Sequence, residues 1–157
     1  MIIIEIITAL AAAISAIIAA YALIQTKKYQ KEIKERERKQ ATIDAYRKLQ
    51  EDVLDKLVLC SKDEVKNVIE NLDMHSCEEA YNDYRALIAR CEHFAVGINV
   101  GIYDFEVFDK LGGLHIIYLY EKVKPMIMEV RKRIKTEVPY IEFEKLYKTL
   151  KEKHQLK

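Results

Sequence analysis

Hydrophobic residues follow two different patterns along the chain. Residues 2–24 form an almost continuous apolar run in which Glu5 is the only charged side chain. From Tyr46 onward, apolar residues recur every three or four positions, which is typical of amphipathic helices. A run of about 20 apolar residues is long enough to cross the hydrocarbon of a bilayer. The pattern therefore predicts an all-α protein with a single N-terminal transmembrane helix.

Two other interpretations of the apolar run are weaker. A cleaved signal peptide would explain Ala20-Tyr21-Ala22, which resembles a small-x-small cleavage site, but no positively charged segment precedes the run. A buried core helix would need a larger domain around it than 157 residues provide. We therefore expect the segment to be kept as a membrane anchor.

The charges that flank the anchor predict its orientation. No Lys or Arg precedes it, whereas seven follow it directly: Lys27, Lys28, Lys31, Lys34, Arg36, Arg38 and Lys39. Positively charged residues stay on the cytoplasmic side, so the N-terminus is expected outside and the remaining chain inside. The cysteines Cys60, Cys77 and Cys91 would then lie in a reducing compartment.

Composition supports helices throughout the remaining chain. Only 4 Gly, 2 Pro and no Trp occur, which leaves few of the turns that a many-stranded β fold needs. We predict a transmembrane anchor over residues 1–25, a charged helical stalk over 26–40 and a cytosolic helical domain over 41–157. The cytosolic domain is expected to be a bundle of about five helices.

Capping residues predict where the first cytosolic helices begin. Ser61 and Glu64, and again Ser76 and Glu79, have the spacing of a capping box, in which a hydroxyl and a carboxylate bind amides of a first turn. These pairs predict a short helix to about Leu72 and a longer helix from 76 to about 100.

Glycine and proline predict the later boundaries. Gly101 fits a helix end, and Asp104 is a plausible N-cap for a brief helix. Gly112-Gly113 is expected to turn the chain, and Pro125 to kink or restart the helix that continues to about Glu137. A last amphipathic helix is expected over 140–153.

The anchor contains a stripe of small and weakly polar side chains. These residues recur at alternating steps of three and four, which places them on one helix face: Glu5, Thr8, Ala12, Ser15, Ala19 and Ala22. Small residues let helices approach closely in lipid, and a carboxylate within a membrane segment is costly unless it has a function. The stripe favours a homo-oligomer, a tetramer or similar, in which it lines a helix contact or a pore. In an alanine-rich segment, chance is the alternative.

Charge is unevenly distributed in the cytosolic domain. Residues 63–109 hold eleven acidic and three basic side chains, whereas 121–135 hold six basic and two acidic ones. A basic segment near tyrosines favours an anionic ligand, for which we select eight candidates: Arg85, Arg90, Lys122, Lys124, Arg131, Arg133, Tyr103 and Tyr118. Solvated helix faces are the alternative explanation.

The sequence shows no pattern that predicts catalysis. It has neither a GxSxG nucleophile motif nor a phosphate-binding glycine loop, so we expect no enzyme and no cofactor. His75 with Cys77 and Cys91 with His93 are possible zinc ligands, but each pair has one intervening residue, where structural zinc sites have two to four. We therefore expect no metal site.

Two segments resemble a widespread, largely uncharacterised bacterial family. They are the stretch from Glu92 to Asp104, which reads E-x-F-A-x-G-I-x-x-G-I-Y-D, and Tyr140–Leu146. The resemblance implies one N-terminal transmembrane helix and a small helical cytosolic domain in the bacterial inner membrane. The chain is also similar to membrane effectors of anti-phage operons such as Hailong. This resemblance implies that the activity of the chain is controlled by an oligonucleotide, which a partner nucleotidyltransferase encoded nearby would make.

Two functions follow as hypotheses. The first is a homo-oligomeric effector, a gated pore or channel that depolarises the membrane under control of a nucleotide or single-stranded oligonucleotide. The second is a non-conducting membrane-tethered scaffold that recruits a partner protein. Both place the lipid bilayer among the partners of the chain.

Overall fold

The computed structural model describes residues 2–59 and 61–155, and the side chains of residues 14–57 and 61–155. Within this part the protein is helical and contains no strand, which confirms the predicted all-α class. The elements in chain order are α1 (Ile2–Leu49), a π-helical turn (Gln50–Leu54), α2 (Asp55–Leu59), α3 (Lys62–Glu70), α4 (His75–Asn99), α5 (Phe105–Ile134) and α6 (Ile141–Lys153).

The chain divides into two units, residues 1–37 and residues 38–157. In the first unit, the described side chains of residues 14–37 are exposed, with Gln25 half-buried. Among the described residues, no helix is both long enough and apolar enough to cross a bilayer. From the predicted stripe, Ser15, Ala19 and Ala22 are exposed. The side chains of Glu5, Thr8 and Ala12 lie outside the described residues.

The core of the second unit is centred on three aromatic rings from three helices. Tyr46 of α1, Phe94 of α4 and Phe108 of α5 contact each other, with ring centroids 5.1–6.2 Å apart. The two contacts of Phe108 are edge-to-face, a geometry that adds to the stabilisation from burial. The last turns of α1 are thereby fixed against α4 and α5.

Helix α6 contributes to the same core. It packs mainly against α4 and α5, and it buries Phe143, Leu146 and Leu150. Phe143 meets Tyr120 of α5 edge-on at 5.2 Å between ring centroids. Burial raises the pKa of Tyr120 to about 12. The amphipathic helix predicted for 140–153 is therefore confirmed, and its apolar side faces the core.

One predicted capping box is confirmed and the other is wrong. The Ser61 hydroxyl accepts the Glu64 N–H at 3.0 Å, and the Glu64 carboxylate accepts the Ser61 N–H in return. Helix α4, however, begins at His75, and its N-cap Met74 makes no side-chain hydrogen bond. The Met74 carbonyl accepts the N–H groups of Cys77 and Glu78. Ser76 therefore already lies inside the helix.

The break predicted at Gly112-Gly113 is confirmed as a kink at Gly112, where two helical parts of α5 meet. Gly112 has φ −164° and ψ 19°. Pro125 lies inside the helix without leaving helical dihedral angles, so the restart predicted there is wrong. A Cβ at Gly112 would overlap the Tyr46 hydroxyl, so this glycine provides close contact with α1. Asp104 is confirmed as the N-cap of α5, since it accepts the Val107 N–H at 3.0 Å.

Candidate functional site

The connection between α4 and α5 places the Tyr103 ring against the backbone of α4 at Gly97. The Tyr103 N–H donates to the Gly97 carbonyl at 3.0 Å, and the Tyr103 ring stacks on Phe94 with centroids 5.5 Å apart. A Cβ at Gly97 would overlap the Tyr103 ring, so the missing side chain makes this contact possible. Gly101, with φ +79°, provides the left-handed turn between them.

A cleft of about 490 Å³ lies beside this ring. Three elements form it, namely the last turns of α1, the π-helical turn and α4, together with Tyr103. Its volume falls in the range of small-molecule sites. The residues that line it are Ala45, Lys48, Leu49, Asp52, Val53, Arg90, His93, Phe94 and Tyr103.

The π-helical turn brings Asp52 into the cleft. In this turn the Asp55 N–H donates to the Gln50 carbonyl, five residues earlier, so the turn is wider than in an α-helix. Val53 and Leu54 are both buried, while Asp52 is half-buried and lines the cleft. Single π-turns are uncommon and often accompany functional sites.

Ionisable groups are concentrated at the cleft rim. Lys48, Arg90 and His93 line it from two helices, and Asp52 is the one acidic residue among the described lining residues. A guanidinium nitrogen of Arg90 lies 3.5 Å from an Asp52 carboxylate oxygen, and these side chains are 56% and 45% exposed. Such an exposed, long ion pair stabilises the fold little. The rim therefore has more cationic groups than its single carboxylate neutralises.

A second carboxylate fixes the connection to α1. The Arg38 guanidinium donates to Asp104 at 2.7 Å, and the Asp104 N–H donates to the Thr42 hydroxyl at 2.7 Å. Burial alone would raise the pKa of Asp104, but the Val107 N–H and the Arg38 charge outweigh it and hold that pKa below its usual value. The residue next to Tyr103 is thereby held against the end of α1.

The two segments that carried the family resemblance meet in the structure. The Glu92 carboxylate of α4 accepts the N–H of Glu142 at 3.1 Å and the N–H of Phe143 at 2.6 Å. These N–H groups belong to the first turn of α6, where no preceding helical carbonyl is available. Glu92 therefore caps α6 from a different helix.

The sequence matches a family described as a domain of unknown function, DUF4760, over residues 9–150. The chain belongs to the DUF4760 family. No curated protein and no solved structure matches it. The predicted membership in an uncharacterised family is confirmed, whereas the link to anti-phage effectors stays a prediction.

The eight candidate residues for anion binding do not form one site in this DUF4760 domain. Arg90 and Tyr103 line the cleft. Arg85 and Arg133 both lie over the Tyr81 ring, 5.7 and 5.3 Å from its centroid. On α5, Lys124 and Tyr118 are exposed.

The other two candidate cations of the DUF4760 domain are buried. Lys122 is 3% exposed and donates to the Leu57 carbonyl at 2.9 Å. Arg131 is 6% exposed, donates to the Pro139 carbonyl at 3.0 Å and pairs with Glu144 at 2.8 Å. Both side chains hold helix ends in place, and we do not include them in the candidate site.

Sequence reasoning missed Lys48 and Asp52 of the cleft and considered His93 only as a metal ligand. The adjacent buried residues Val53 and Leu54 give no signal of the π-turn, since such pairs also occur within regular helix, as at Ile116 and Ile117 of α5. Among the described residues, no group of three or more His, Cys, Asp or Glu is placed to hold a metal ion. Burial raises the pKa of the Cys91 thiol to about 12.

Proposed function

We propose that the chain is a homo-oligomeric membrane effector whose pore or channel is controlled by an anionic ligand bound in the cleft. The observation that carries this proposal is that one helix, α1, has exposed apolar side chains along its N-terminal part and supplies Lys48 and Leu49 to the cleft. Ligand and membrane would thus act on the same helix.

Exposed apolar side chains support the membrane anchor. Six large residues are each more than half exposed: Ile14, Ile17, Ile18, Tyr21, Leu23 and Ile24. An apolar surface of this extent is rare on a soluble monomer and marks a membrane or protein contact. The basic residues that follow support a C-terminal domain in the cytoplasm of a bacterium, beneath the inner membrane. The family match includes most of the apolar run, because it begins at residue 9.

The cleft supports regulation through α1. A ligand that contacts both Lys48 of α1 and Arg90 of α4 binds more tightly when these helices are held together. It therefore shifts the equilibrium between two arrangements of α1 by its difference in affinity. The resemblance to defence operons supplies the biological setting, in which a nearby nucleotidyltransferase makes a nucleotide or oligonucleotide ligand.

Ion leakage from liposomes tests the proposed pore. The full chain is reconstituted into vesicles with a potassium gradient, and we expect it to dissipate the membrane potential. Glu5→Gln should change ion preference, because a carboxylate ring at a pore mouth favours cations. Glu32→Gln is the matched control, since Glu32 is exposed in the predicted stalk. Leakage equal to that of protein-free vesicles, or a monomeric mass in nanodiscs, would contradict the proposal.

A non-conducting scaffold is the second candidate function. It is favoured by an exposed apolar face on α5, formed by Leu111, Leu114 and Tyr118, which are 41%, 57% and 55% exposed. Replacing residues 1–24 by an unrelated monomeric anchor separates the two functions. A scaffold keeps its function after the exchange, whereas a pore loses it.

A further inference from the structure

We propose that the cleft binds a small compound that joins a flat ring to a phosphate group, and that this phosphate displaces Asp52 from Arg90. This inference rests on the proposed function, since it names the ligand class of the same site. The ligand has the size and chemistry of a nucleoside monophosphate.

The Asp52–Arg90 pair identifies an anion position in the cleft. The carboxylate stands 3.5 Å from the guanidinium, which is longer than a good charge-assisted hydrogen bond. A phosphate offers more acceptor oxygens and more charge than Asp52, and it matches the fork of the Arg90 donors. Lys48 and His93 line the same cleft and are exposed to solvent. They can hold the remaining oxygens.

The inner wall of the cleft, which faces away from solvent, is suited to a flat ring of the ligand. Leu49, Val53 and Phe94 are buried and present apolar surface, and Tyr103 is half-buried beside them. Within the described residues, the Tyr103 hydroxyl makes no hydrogen bond, so it can donate to a ring nitrogen or carbonyl of the ligand. A site with an apolar wall and a few placed polar groups is typical of small-molecule recognition.

The wall is in place before a ligand arrives. The Tyr103 ring is fixed by the stack on Phe94, by the Gly97 surface beneath it and by its own N–H bond to Gly97. Little ordering is then needed on binding, which favours affinity. The volume of about 490 Å³ holds one such compound and not a folded polymer.

Displacement of Asp52 connects binding to the π-helical turn. Asp52 belongs to this turn, and its long contact with Arg90 is an ion pair between the turn and α4. When the phosphate displaces the Asp52 carboxylate, Arg90 of α4 contacts the ligand and no longer contacts the π-helical turn. Asp52 therefore pairs with Arg90 and competes with the phosphate for it.

Titration of the full chain in detergent with chemically dissected probes tests the ligand class. The probes are the four nucleoside monophosphates of adenine, guanine, cytosine and uracil, each base also as its nucleoside, and inorganic phosphate. We expect at least one monophosphate to bind at least about tenfold more tightly than its nucleoside or phosphate alone, since each half of the cleft contributes. If none of the four binds, or if inorganic phosphate binds equally well, the proposal is overturned.

Two cleft variants and one control locate the site. Arg90→Gln should weaken monophosphate binding about tenfold, because the charge-assisted contact to the phosphate is lost. Asp52→Asn should tighten it about threefold or more, because the competing carboxylate is gone. Tighter binding is a result that misfolding cannot produce. Lys110→Gln, an exposed cation of α5 outside the cleft, should bind like the wild type. Unchanged binding in Arg90→Gln, or no gain in Asp52→Asn, contradicts the proposal.

The binding assay and the leakage assay fail independently. Specific binding without leakage would contradict the pore and leave the ligand class standing. Leakage without binding of any monophosphate would contradict the ligand class and leave the pore standing.

Discussion

Glu92 and Phe143 are 51 positions apart in the sequence, yet the Glu92 carboxylate accepts the Phe143 N–H at 2.6 Å. The same carboxylate accepts the Glu142 N–H, so one side chain of α4 satisfies two amides at the start of α6. Helix α6 has Tyr140 in a left-handed conformation at its N-cap, without a side-chain hydrogen bond. Its first turn depends on Glu92.

Removing this cap should destabilise the domain. We expect Glu92→Ala to lower the free energy of unfolding by about 1–3 kcal/mol, because two half-buried amides lose their acceptor. Glu79→Ala on the same helix is the control, since its ion-pair partner His75 lies 3.6 Å away and both side chains are largely exposed. Urea denaturation measures both variants. Equal losses in the two would contradict the capping role.

The contact between Gly97 and Tyr103 predicts a paired effect. Gly97→Ala should cost about 1–3 kcal/mol of stability, because the new Cβ overlaps the Tyr103 ring and displaces it from Phe94. In a Tyr103→Leu background the same change should cost much less. A double-mutant cycle by thermal or urea unfolding gives the coupling energy. Additive effects would show that the ring does not depend on the glycine.

Asp104 predicts a pH-dependent contribution to stability. Its pKa is lowered in the folded protein, despite burial, by the Val107 N–H and by Arg38. The stabilisation is therefore present above the ordinary Asp pKa of about 4 and is lost as pH falls through the lower folded value. Asp104→Asn keeps a capping side chain and removes the charge. Its stability deficit, about 1 kcal/mol at pH 7 because Arg38 is half exposed, should shrink below pH 4.

Unfolding measured from pH 7 to pH 3 in both proteins checks this sign. A deficit that stays constant over the whole range would contradict the role of the Asp104 charge.

Burial of Cys91 predicts selective thiol chemistry. Cys91 is 1% exposed and burial raises the pKa of its thiol to about 12, whereas Cys77 is half-buried. Because the thiolate is the reactive form, iodoacetamide at pH 8 should label Cys77 and spare Cys91 in the folded protein. Peptide mapping by mass spectrometry measures both sites. In urea the two should react alike, and rapid native labelling of Cys91 would contradict the burial.

Local signals in the sequence predicted local structure well. Ser61 and Asp104 were recognisable as caps because their partners lie three residues away. Gly112 was recognisable as a break in the helix, but its close contact with Tyr46, 66 positions earlier, was not, because a glycine alone does not distinguish a turn from close packing. The Glu92 cap depends on a contact of the same long-range kind, which no single helix pattern reveals.

The candidate site was less predictable than the helices. Arg90 and Tyr103 were selected from charge and aromatic patterns, but the same reasoning also selected Lys122 and Arg131, which are buried. Long cationic side chains look alike in sequence whether they face solvent or a buried carbonyl. The cleft itself depends on a wide turn after α1, and the residues that this turn presents to the cleft follow from the folded structure and not from a helical pattern.

The wide turn at Gln50–Leu54 also affects which single-residue deletions the protein can tolerate. It closes with one residue more than an α-helical turn, and Asp55 reaches back five positions. Loss of one codon here would restore regular i to i+4 pairing and leave the flanking helical segments in phase. Deletion of Asp52 should therefore be tolerated by the core while it erases the carboxylate that faces Arg90.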